Sequence, residues 1–469
     1  GMAIAYPIIP KVLAAVSVKF LLLTDLVLQF FLSWICARSQ NADILIVCSF
    51  AIGFLKGFLM LWFIRYAQKI FSPNNVRSEF YSYFYPLVYG GGQVSMLVTA
   101  QLAYYYDWKY MYYFMMLLML VAILLVIICF RHNRPIKSVP IADLHIREMF
   151  IISAGLLMLM YVINYGKVLD WMSSAKICAY IVIAPMLIAL FIWIQIHSDK
   201  PYVSLAPLYQ PKAIIGYLYM MIVMFFSTST TLLTNYLSVI LKVDTTHTYS
   251  LYIYLLPGYL AGAFICFWWF RWQRWRFRFL IAGGMGCFVI FFAILYFGIS
   301  PGSTYEMLYL PIFFRGLGML TLIIAFALFA VEDLNSKYLL SNAFFLIIFR
   351  SVLTPIMATS FYSNVLYRLE QKYMCSLSET ITTADPLAAS KYSQSLNTAL
   401  SQGHRYDEAV QIATNSLHAT LQQQSLLLAL KEILGYLLVI SVIIAVVSRF
   451  IPFHKTIRVT FLRTGDDMV

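Results

Sequence analysis

Long apolar runs, separated by short polar segments, dominate this chain. Twelve of the runs approach the ~20 residues that a helix needs to cross a bilayer. The predicted spans cover residues 18–36, 42–64, 80–104, 109–130, 149–166, 176–197, 213–235, 249–270, 279–298, 306–330, 341–366 and 428–450. This pattern predicts an all-α fold, a polytopic bundle of transmembrane helices.

The composition makes lipid the solvent for most of this apolar surface. Of the 469 residues, 62% are hydrophobic and 11% are charged, and the mean hydropathy is +0.79. A water-soluble fold could not bury that much apolar surface. The net charge of +13 comes mainly from basic residues between the apolar runs, so it does not indicate a nucleic-acid partner.

The charges of the short loops predict the orientation of the bundle. If the loop at 131–148 is cytoplasmic, twenty Lys and Arg residues of the short loops and termini fall on that side. The opposite side then holds five, which are Arg38, Lys109, Lys167, Lys176 and Lys242. Because cytoplasmic loops carry an excess of Lys and Arg, we predict a cytoplasmic C-terminus.

One long polar segment, residues 367–427, is predicted to lie on the outer side. Its first half contains the Ser/Thr-rich stretch SLSETITTADPLAAS and is predicted to be loose. Its second half is predicted to be a helix that begins near Asp407 and continues into the last span. Such a segment either covers the outer mouth of the bundle or forms a substrate-capturing domain.

The stretch Tyr83–Tyr110 differs most from a plain membrane anchor. It contains Pro86, three glycines at 90–92, Gln93 and Gln101. The consecutive glycines are expected to break the middle of the helix and to let neighbouring backbones come close. Glutamines at membrane depth usually face the protein interior or a wet cavity. We therefore interpret this stretch as a working helix of a transport protein.

Polar groups predicted at membrane depth are the candidate substrate or coupling residues. A charge at that depth costs at least ~2.5–3.5 kcal/mol on insertion scales, so it usually has a function. The candidates are Asp25, Gln29, Lys56, Gln93, Gln101, Asn164, Asn235, Arg315 and Arg350. Helix-packing positions are predicted at Gly57, Gly90, Gly91, Gly92, Gly316 and Gly318.

Several of these candidates also have a purely structural interpretation. Asp25 shares a helix face with Gln29, four residues on, and is either a proton site or the partner of Lys19 in a local ion pair. Lys56 either faces a cavity or extends its ammonium group towards the membrane surface.

The two arginines predicted at membrane depth carry the same ambiguity. Arg315, in the sequence Arg-Gly-Leu-Gly, either clamps helix ends or contacts substrate. Arg350 is either a substrate or coupling residue or a packing or gating residue. The sequence leaves both choices open.

No motif predicts an enzyme, a metal site or a cofactor. The chain has no nucleophile elbow, no His-Glu-x-x-His and no phosphate-binding loop with its Lys. Its seven cysteines lack Cys-x-x-Cys spacing, and its seven histidines lack ligand spacing. The Arg- and Trp-rich run at 268–279 is interpreted as a membrane-interface segment, so nucleic acid is excluded as a partner.

Several stretches occur in an order that is typical of one transporter family. They are SFAIGFLKGFLM, DWKYMYYF, DWMSSAKI at 170–177, KPYVSLAPLYQPKAIIGY at 200–217, the hairpin at 234–262, and FFRGLGML at 313–320. In that order they resemble motifs of the 14-helix drug:proton antiporter branch of the major facilitator superfamily. The resemblance runs from about Pro10 to Phe453.

Two motifs depart from the family pattern. In the fourth-helix motif, the arginine position is Gly53 and the glutamine position is Lys56. The fifth-helix pattern G-P-x-x-G-G aligns with Ser95, Met96, Thr99 and Ala100, so its proline and its paired glycines are lost. These departures weaken the indication of antiport more than that of the superfamily.

The resemblance implies two six-helix bundles with two inserted central helices. The domains would be residues 1–134, the N-terminal bundle; 135–200, the central pair; and 201–469, the C-terminal bundle with the outer segment. The first family helix and most of the second would then be missing, with residues 1–9 at the cytoplasmic end of the second. The alternatives are a complete 12-helix carrier and a native start at Met2 after a cloning remnant.

The function implied by the resemblance is secondary transport by alternating access between the bundles, with proton-coupled efflux of amphipathic compounds. The implied location is a bacterial inner membrane. The expected partners are the lipid bilayer, a small amphipathic substrate, protons and, as a further candidate, an envelope adaptor protein. The alternatives are a transporter of one specific metabolite, a channel, and a membrane protein that transports nothing.

Overall fold

The computed structural model of the chain consists almost entirely of helices. It describes residues 1–72, 76–130, 145–272, 277–380, 385–451 and Phe453. The first nine helices are α1 Met2–Ala5, α2 Ile9–Ala15, α3 Val18–Arg38, α4 Ala42–Phe71, α5 Arg77–Tyr105, α6 Lys109–Cys129, α7 Ile146–Tyr165, α8 Ala175–His197 and α9 Pro211–Ser227. The others are α10 Thr230–Asn235, α11 Thr245–Ser250, α12 Leu255–Trp272, α13 Phe277–Gly298, α14 Tyr309–Phe329, α15 Leu339–Ile347, α16 Thr354–Thr380, α17 Pro386–Ser401 and α18 Tyr406–Phe450.

Eleven helical segments of the described residues are long and apolar enough to cross a membrane. Three of them are composite, since short helical turns join α9 to α10, α11 to α12 and α15 to α16. The one predicted span that is not among these eleven segments is 80–104. It corresponds to α5, which has 29 residues but is rich in Tyr, Ser, Gly and Gln. The predicted all-α polytopic bundle is thus confirmed.

Short polar side chains cap the N-termini of some of these helices. The Asn41 side chain accepts a hydrogen bond from the Asp43 N–H at 3.0 Å, immediately before α4. The Asp385 carboxylate does the same for the Leu387 N–H at 3.0 Å, and Pro386 follows as the first residue of α17. Both arrangements satisfy N–H groups that a helix start otherwise leaves without a partner.

The predicted break in the middle of α5 is wrong. The helix is continuous from Arg77 to Tyr105 and includes Pro86 and all three glycines at 90–92. It packs along α12 and α14 of the second half of the chain. Tertiary packing of this kind outweighs a helix cost of about 1 kcal/mol per glycine.

The prediction for the outer segment is half right. Its second half is helical as predicted, because α18 begins at Tyr406, with Asp407 in its first turn, and continues without interruption to Phe450. Its first half is not loose where the structure describes it, since α16 extends to Thr380 and α17 covers Pro386–Ser401. The predicted looseness at residues 381–384 lies outside the described residues.

The helices pack in two groups, with α7 and α8 as a pair between them in the sequence. In the first group, α3 packs on α4 and α6, and α5 contacts α4 and α6. In the second, α12, α13 and α9 surround α14, while α16 and α18 pack on each other. The predicted domain boundary at 134/135 lies outside the described residues, and the boundary at 200/201 falls between α8 and α9.

Helix α14 is the centre of the second group and α5 is the bridge between groups. All residues of α14 from Gly318 to Phe329 are buried. The short helix α1 provides another bridge, because it is buried between α4 and α15. Side chains on α5, α14 and the α15–α16 segment are therefore the ones that meet between the two groups.

Candidate substrate and proton sites

A stripe of polar side chains follows one face of α5. Its members are Tyr81, Tyr85, Tyr89 and Gln93, spaced by four residues, with Arg77 one turn before them. Side chains four residues apart lie on the same face of a helix. The sequence analysis identified Gln93 but missed the tyrosines, although their spacing in a predicted span was the signal that could have found them.

Arg350 extends towards this stripe from the α15–α16 segment. It lies in the π-helical turn Ile348–Leu353, which joins the two helices. Its Cζ is 5.9 Å from the centre of the Tyr85 ring, and Tyr6 and Tyr89 are close enough to interact with its charge. Its Nη1 is buried without a hydrogen-bond partner among the described residues.

Arg315 is the second cation of this region and lies on α14. The residue is only 7% exposed, and its Cζ lies 5.9 Å from the centre of the Tyr252 ring. Tyr259 of α12 is also close enough to interact with its charge. Both Nε and Nη1 of Arg315 are buried without a partner among the described residues.

Tyr259 connects the surroundings of the two arginines. Its ring centre is 6.0 Å from that of Tyr89, and its hydroxyl lies near Gln93. The Gln93 Oε1 is itself buried without a described partner. We call Tyr85, Tyr89, Gln93, Tyr259, Arg315 and Arg350 the interbundle cluster.

The interbundle cluster combines positive charge with hydroxyl and amide groups. No ion pair among the described residues includes Arg315 or Arg350. Burying a cation without a counter-charge is costly. The cluster therefore presents unsatisfied donors and positive charge at the contact between the two groups of helices.

Asp25 and Gln29 form a separate polar pair on α3. Both residues are buried, and the Gln29 amide donates to Asp25 Oδ2 at 3.2 Å. Asp25 Oδ1 has no partner among the described residues. The Lys19 ammonium donates instead to the Ile127 carbonyl oxygen at 2.9 Å, so the structure does not contain the alternative ion pair between Lys19 and Asp25.

The remaining polar candidates do not join either of these sites. Lys56, Gln101 and Asn164 are exposed on the surfaces of α4, α5 and α7. Asn235 is partly buried, but its amide donates to the Thr231 carbonyl oxygen of its own helix at 3.1 Å. Their predicted roles in substrate or proton binding stay predictions.

Three of the predicted packing glycines lie at close helix contacts. A Cβ on Gly57 would come within 2.7 Å of the Ala5 Cβ, one on Gly316 within 2.8 Å of the Leu255 carbonyl oxygen, and one on Gly318 within 2.8 Å of the Gly284 carbonyl oxygen.

The three predicted packing glycines of α5 make no such close contacts. A Cβ on Gly90 would make an ordinary contact with Leu256 at 3.5 Å. Gly91 and Gly92 have nothing within 4 Å of such a Cβ among the described residues, and their role in helix packing stays a prediction. They lie on an exposed face of α5 that no helix covers in the described structure.

Comparison with known proteins decides the family. A model of the Major Facilitator Superfamily matches residues 1–358. The chain belongs to the major facilitator superfamily. No curated protein matches it.

Membership of the major facilitator superfamily defines the general function. The protein is a multi-pass membrane protein and a secondary transporter, which fits its bundle of apolar helices. Transporters of this kind bind substrate near the bilayer midplane, between two halves that rock against each other. The interbundle cluster lies between two such groups of helices, whereas Asp25 and Gln29 lie within the first group.

A large apolar cleft lies elsewhere on this superfamily member. It has a volume of about 730 Å³ and is lined by residues of α7, α9, α16 and α18, among them Ile163, Phe225, Phe361 and Ile440. Its lining includes neither Arg315 nor Arg350. Its wall is mostly apolar, although Ser360, Asn364 and Arg368 of α16 also line it.

Proposed function

We propose that this protein is a proton-coupled transporter that exports amphipathic compounds by alternating access, as in the 14-helix drug:proton antiporter branch. The observation that carries the proposal is the buried Asp25 carboxyl, which has Gln29 as its hydrogen-bond partner and belongs to no ion pair among the described residues. A charged carboxylate at membrane depth costs ~2.5–3.5 kcal/mol on insertion scales. Proton binding at Asp25 would remove this cost and proton release would restore it, so the free energy of the buried side chain would depend on its protonation.

The proposal includes a location and an organisation. The protein would lie in a bacterial inner membrane with its C-terminus in the cytoplasm, supported by the excess of twenty basic residues over five. Residues 1–134, 135–200 and 201–469 would be its bundles and central pair. An envelope adaptor protein would bind at the outer side, where α17 and the first turns of α18 extend.

The test is transport by the purified chain in proteoliposomes with an imposed pH gradient. Three fluorescent amphiphiles serve as probes: rhodamine 6G as a cation, Nile red as a neutral compound and fluorescein as an anion. We expect at least one to move faster than in protein-free vesicles, and a protonophore to abolish the difference. Equal rates with and without protein for all three probes would contradict the proposal.

A substitution at Asp25 separates coupling from transport. Asp25→Asn retains a hydrogen-bonding side chain but cannot release a proton, so it should abolish movement driven by the pH gradient while exchange of substrate between the two sides continues. Asp107→Asn is the matched control, since Asp107 is exposed at the outer end of α5 beside Lys109. Full coupling in Asp25→Asn would overturn the role of Asp25.

The interbundle cluster favours a second candidate, the transport of one specific metabolite. A transporter of varied apolar compounds needs an adaptable cavity, whereas a specific one holds its substrate by a few convergent polar groups. Arg315, Arg350 and Gln93 all belong to the interbundle cluster, and each has a buried polar atom without a partner among the described residues. Strong inhibition by one chemical class of competitor would support this candidate.

A further inference from the structure

We propose that the interbundle cluster is an anion site. It would take a small substrate with a carboxylate, phosphate or sulfonate group on an aromatic or other apolar body. The inference rests on the transporter function proposed above and names the class of its substrate.

The burial of Arg315 is the first observation behind this assignment. The side chain is more than nine-tenths buried, and two of its three nitrogens have no partner among the described residues. The tyrosines around it, Tyr252 and Tyr259, provide aromatic faces and hydroxyl groups. An isolated buried cation is costly until a counter-charge arrives, and an anionic substrate would provide that charge.

The second observation is Arg350, which lies on another element, is only partly buried and has an Nε that donates to Ser351 Oγ at 3.4 Å. Its guanidinium also lies beside a tyrosine ring and also has a buried nitrogen without a described partner. Both arginines extend towards neighbours of the same α5 face, through Tyr85 and Tyr89 for Arg350 and through Tyr259 for Arg315. The proposed site uses both guanidinium groups, either on one charged group of the ligand or at successive positions along it.

The chemistry of the donors selects the sign of the substrate charge. Guanidinium groups bind carboxylate and phosphate through paired N–H groups, and tyrosine hydroxyls can donate further hydrogen bonds. A cationic substrate would need a carboxylate, and the described ion pairs place none beside Arg315 or Arg350. The tyrosine rings would pack on the apolar body of the ligand.

A purely structural role for the two arginines makes a different prediction. As cation–π clamps between the helices they would stabilise the protein equally in the presence of any ligand. Replacing them would lower the stability of the empty protein but would not change its preference among ligands of opposite charge. Charge preference is therefore the property to measure.

The experiment measures thermal unfolding of the purified full chain in a neutral detergent, followed by tryptophan fluorescence. The probes have the same ring system and differ in charge: 1-naphthoate, 1-naphthalenemethanol and 1-naphthylmethylammonium. We expect 1-naphthoate to raise the unfolding temperature in a concentration-dependent way, because a ligand that binds only the folded state stabilises it. The other two probes should have little effect.

Variants then locate the site. Arg315→Gln and Arg350→Gln should each weaken the effect of 1-naphthoate by about ten- to a hundredfold in concentration, the loss expected for a hydrogen bond to a charged group. Arg315→Lys should recover part of it. Arg38→Gln is the matched control, because the Arg38 guanidinium lies 4.7 Å from the Trp34 ring on an exposed part of α3.

Two results would overturn the anion site. One is equal stabilisation of the unaltered chain by the anionic and cationic probes, or by neither, which decides the question even if a variant does not fold. The other is an undiminished response to 1-naphthoate in both glutamine variants. Binding is measured without transport, so a chain that prefers 1-naphthoate but moves no probe would contradict the proposed function and leave the site intact.

An anionic lipid could present the same chemistry from the bilayer. Phosphatidylglycerol in the micelles is therefore tested in place of 1-naphthoate. We expect the soluble anion to act in the absence of the lipid. Stabilisation by phosphatidylglycerol alone would overturn the assignment to a small substrate.

Discussion

Gly316 allows α14 and α12 to approach each other closely. A Cβ at this position would lie 2.8 Å from the Leu255 carbonyl oxygen and 3.4 Å from the Gly258 Cα. Backbone atoms cannot move away as a flexible side chain can, so the two helices would have to separate. Arg315 precedes this residue, and the distance between the helices therefore also controls where its guanidinium lies.

Substitutions of two glycines should have opposite effects. Gly316→Ala should destabilise the protein by about 1–3 kcal/mol, the usual cost of overpacking. Gly91→Ala should stabilise it by about 0.5–1 kcal/mol, because a Cβ there meets no other atom within 4 Å and alanine favours the helix. Thermal unfolding in detergent measures both. A lower unfolding temperature for Gly91→Ala would show that a neighbour covers that face.

At the scale of single residues, the sequence predicted which side chains are unusual but not what they contact. Arg315 and Gln93 are recognisable because charged and amide groups are costly in an apolar run. Tyr259 is not, since tyrosine is common in such runs and its neighbours Tyr89 and Gln93 lie more than 160 positions away in the sequence. Contacts of that kind depend on how helices pack.

Helix α18 is the longest element of the described structure. Its 45 residues correspond to about 68 Å at 1.5 Å per residue, which is more than twice the ~30 Å of a bilayer hydrocarbon core. Its outer part packs against α17, and the hydroxyl of Ser395 donates to that of Ser416 at 3.0 Å. Helix α17 and the first part of α18 thus form a helical hairpin that continues directly into the last span.

A pair of cysteines tests this hairpin. Ser395→Cys with Ser416→Cys, in a Cys375→Ser background, should form a disulfide on mild oxidation, because the two hydroxyl oxygens already lie within the reach of such a bond. The measurement is the loss of thiols that react with a maleimide after denaturation. The single variant Ser395→Cys is the control. If both thiols stay reactive, α17 does not pack on α18 as described.

At the scale of elements, the apolar runs predicted the helices. Residues with low helix propensity led to wrong predictions at two places. Glycines at 90–92 indicated a break in α5, and Ser and Thr at 376–380 indicated a loose segment, whereas both stretches are helical. Helix propensity differs by about 1 kcal/mol or less for such residues. Packing on neighbouring helices, or continuation of an established helix, is enough to outweigh it.

The orientation of the whole molecule across the membrane is predicted from the charges of its loops and not from the packing of its helices. On the positive-inside rule, α17 lies outside and the turn before α15 lies in the cytoplasm. Leu387 of α17 and Lys337 of that turn are both exposed and are suitable positions for labelling. They therefore report on the two sides of the membrane.

Labelling of cysteines in intact cells tests this orientation. Leu387→Cys should react with a membrane-impermeant maleimide, whereas Lys337→Cys should react only after the cells are made permeable. A background with both Cys129→Ser and Cys375→Ser removes the exposed native thiols of α6 and α16. The reverse pattern would invert the orientation, and with it the assignment of export as the direction of transport.

The sequence by itself determined the class of protein, its predicted spans and its predicted orientation. Each of these depends on properties that are additive along the chain, namely the length of apolar runs and the charges between them. The family followed from the same linear pattern, since the superfamily model matches residues 1–358.

The tertiary structure alone decided which of the polar residues lie close together. Arg315 and Arg350 belong to different elements, and the tyrosines and glutamine beside them come from α5 and α12. Asp25 has a partner within its own helix and was predictable as a pair with Gln29. The interbundle cluster was not, because its members approach one another only when two separate groups of helices pack together.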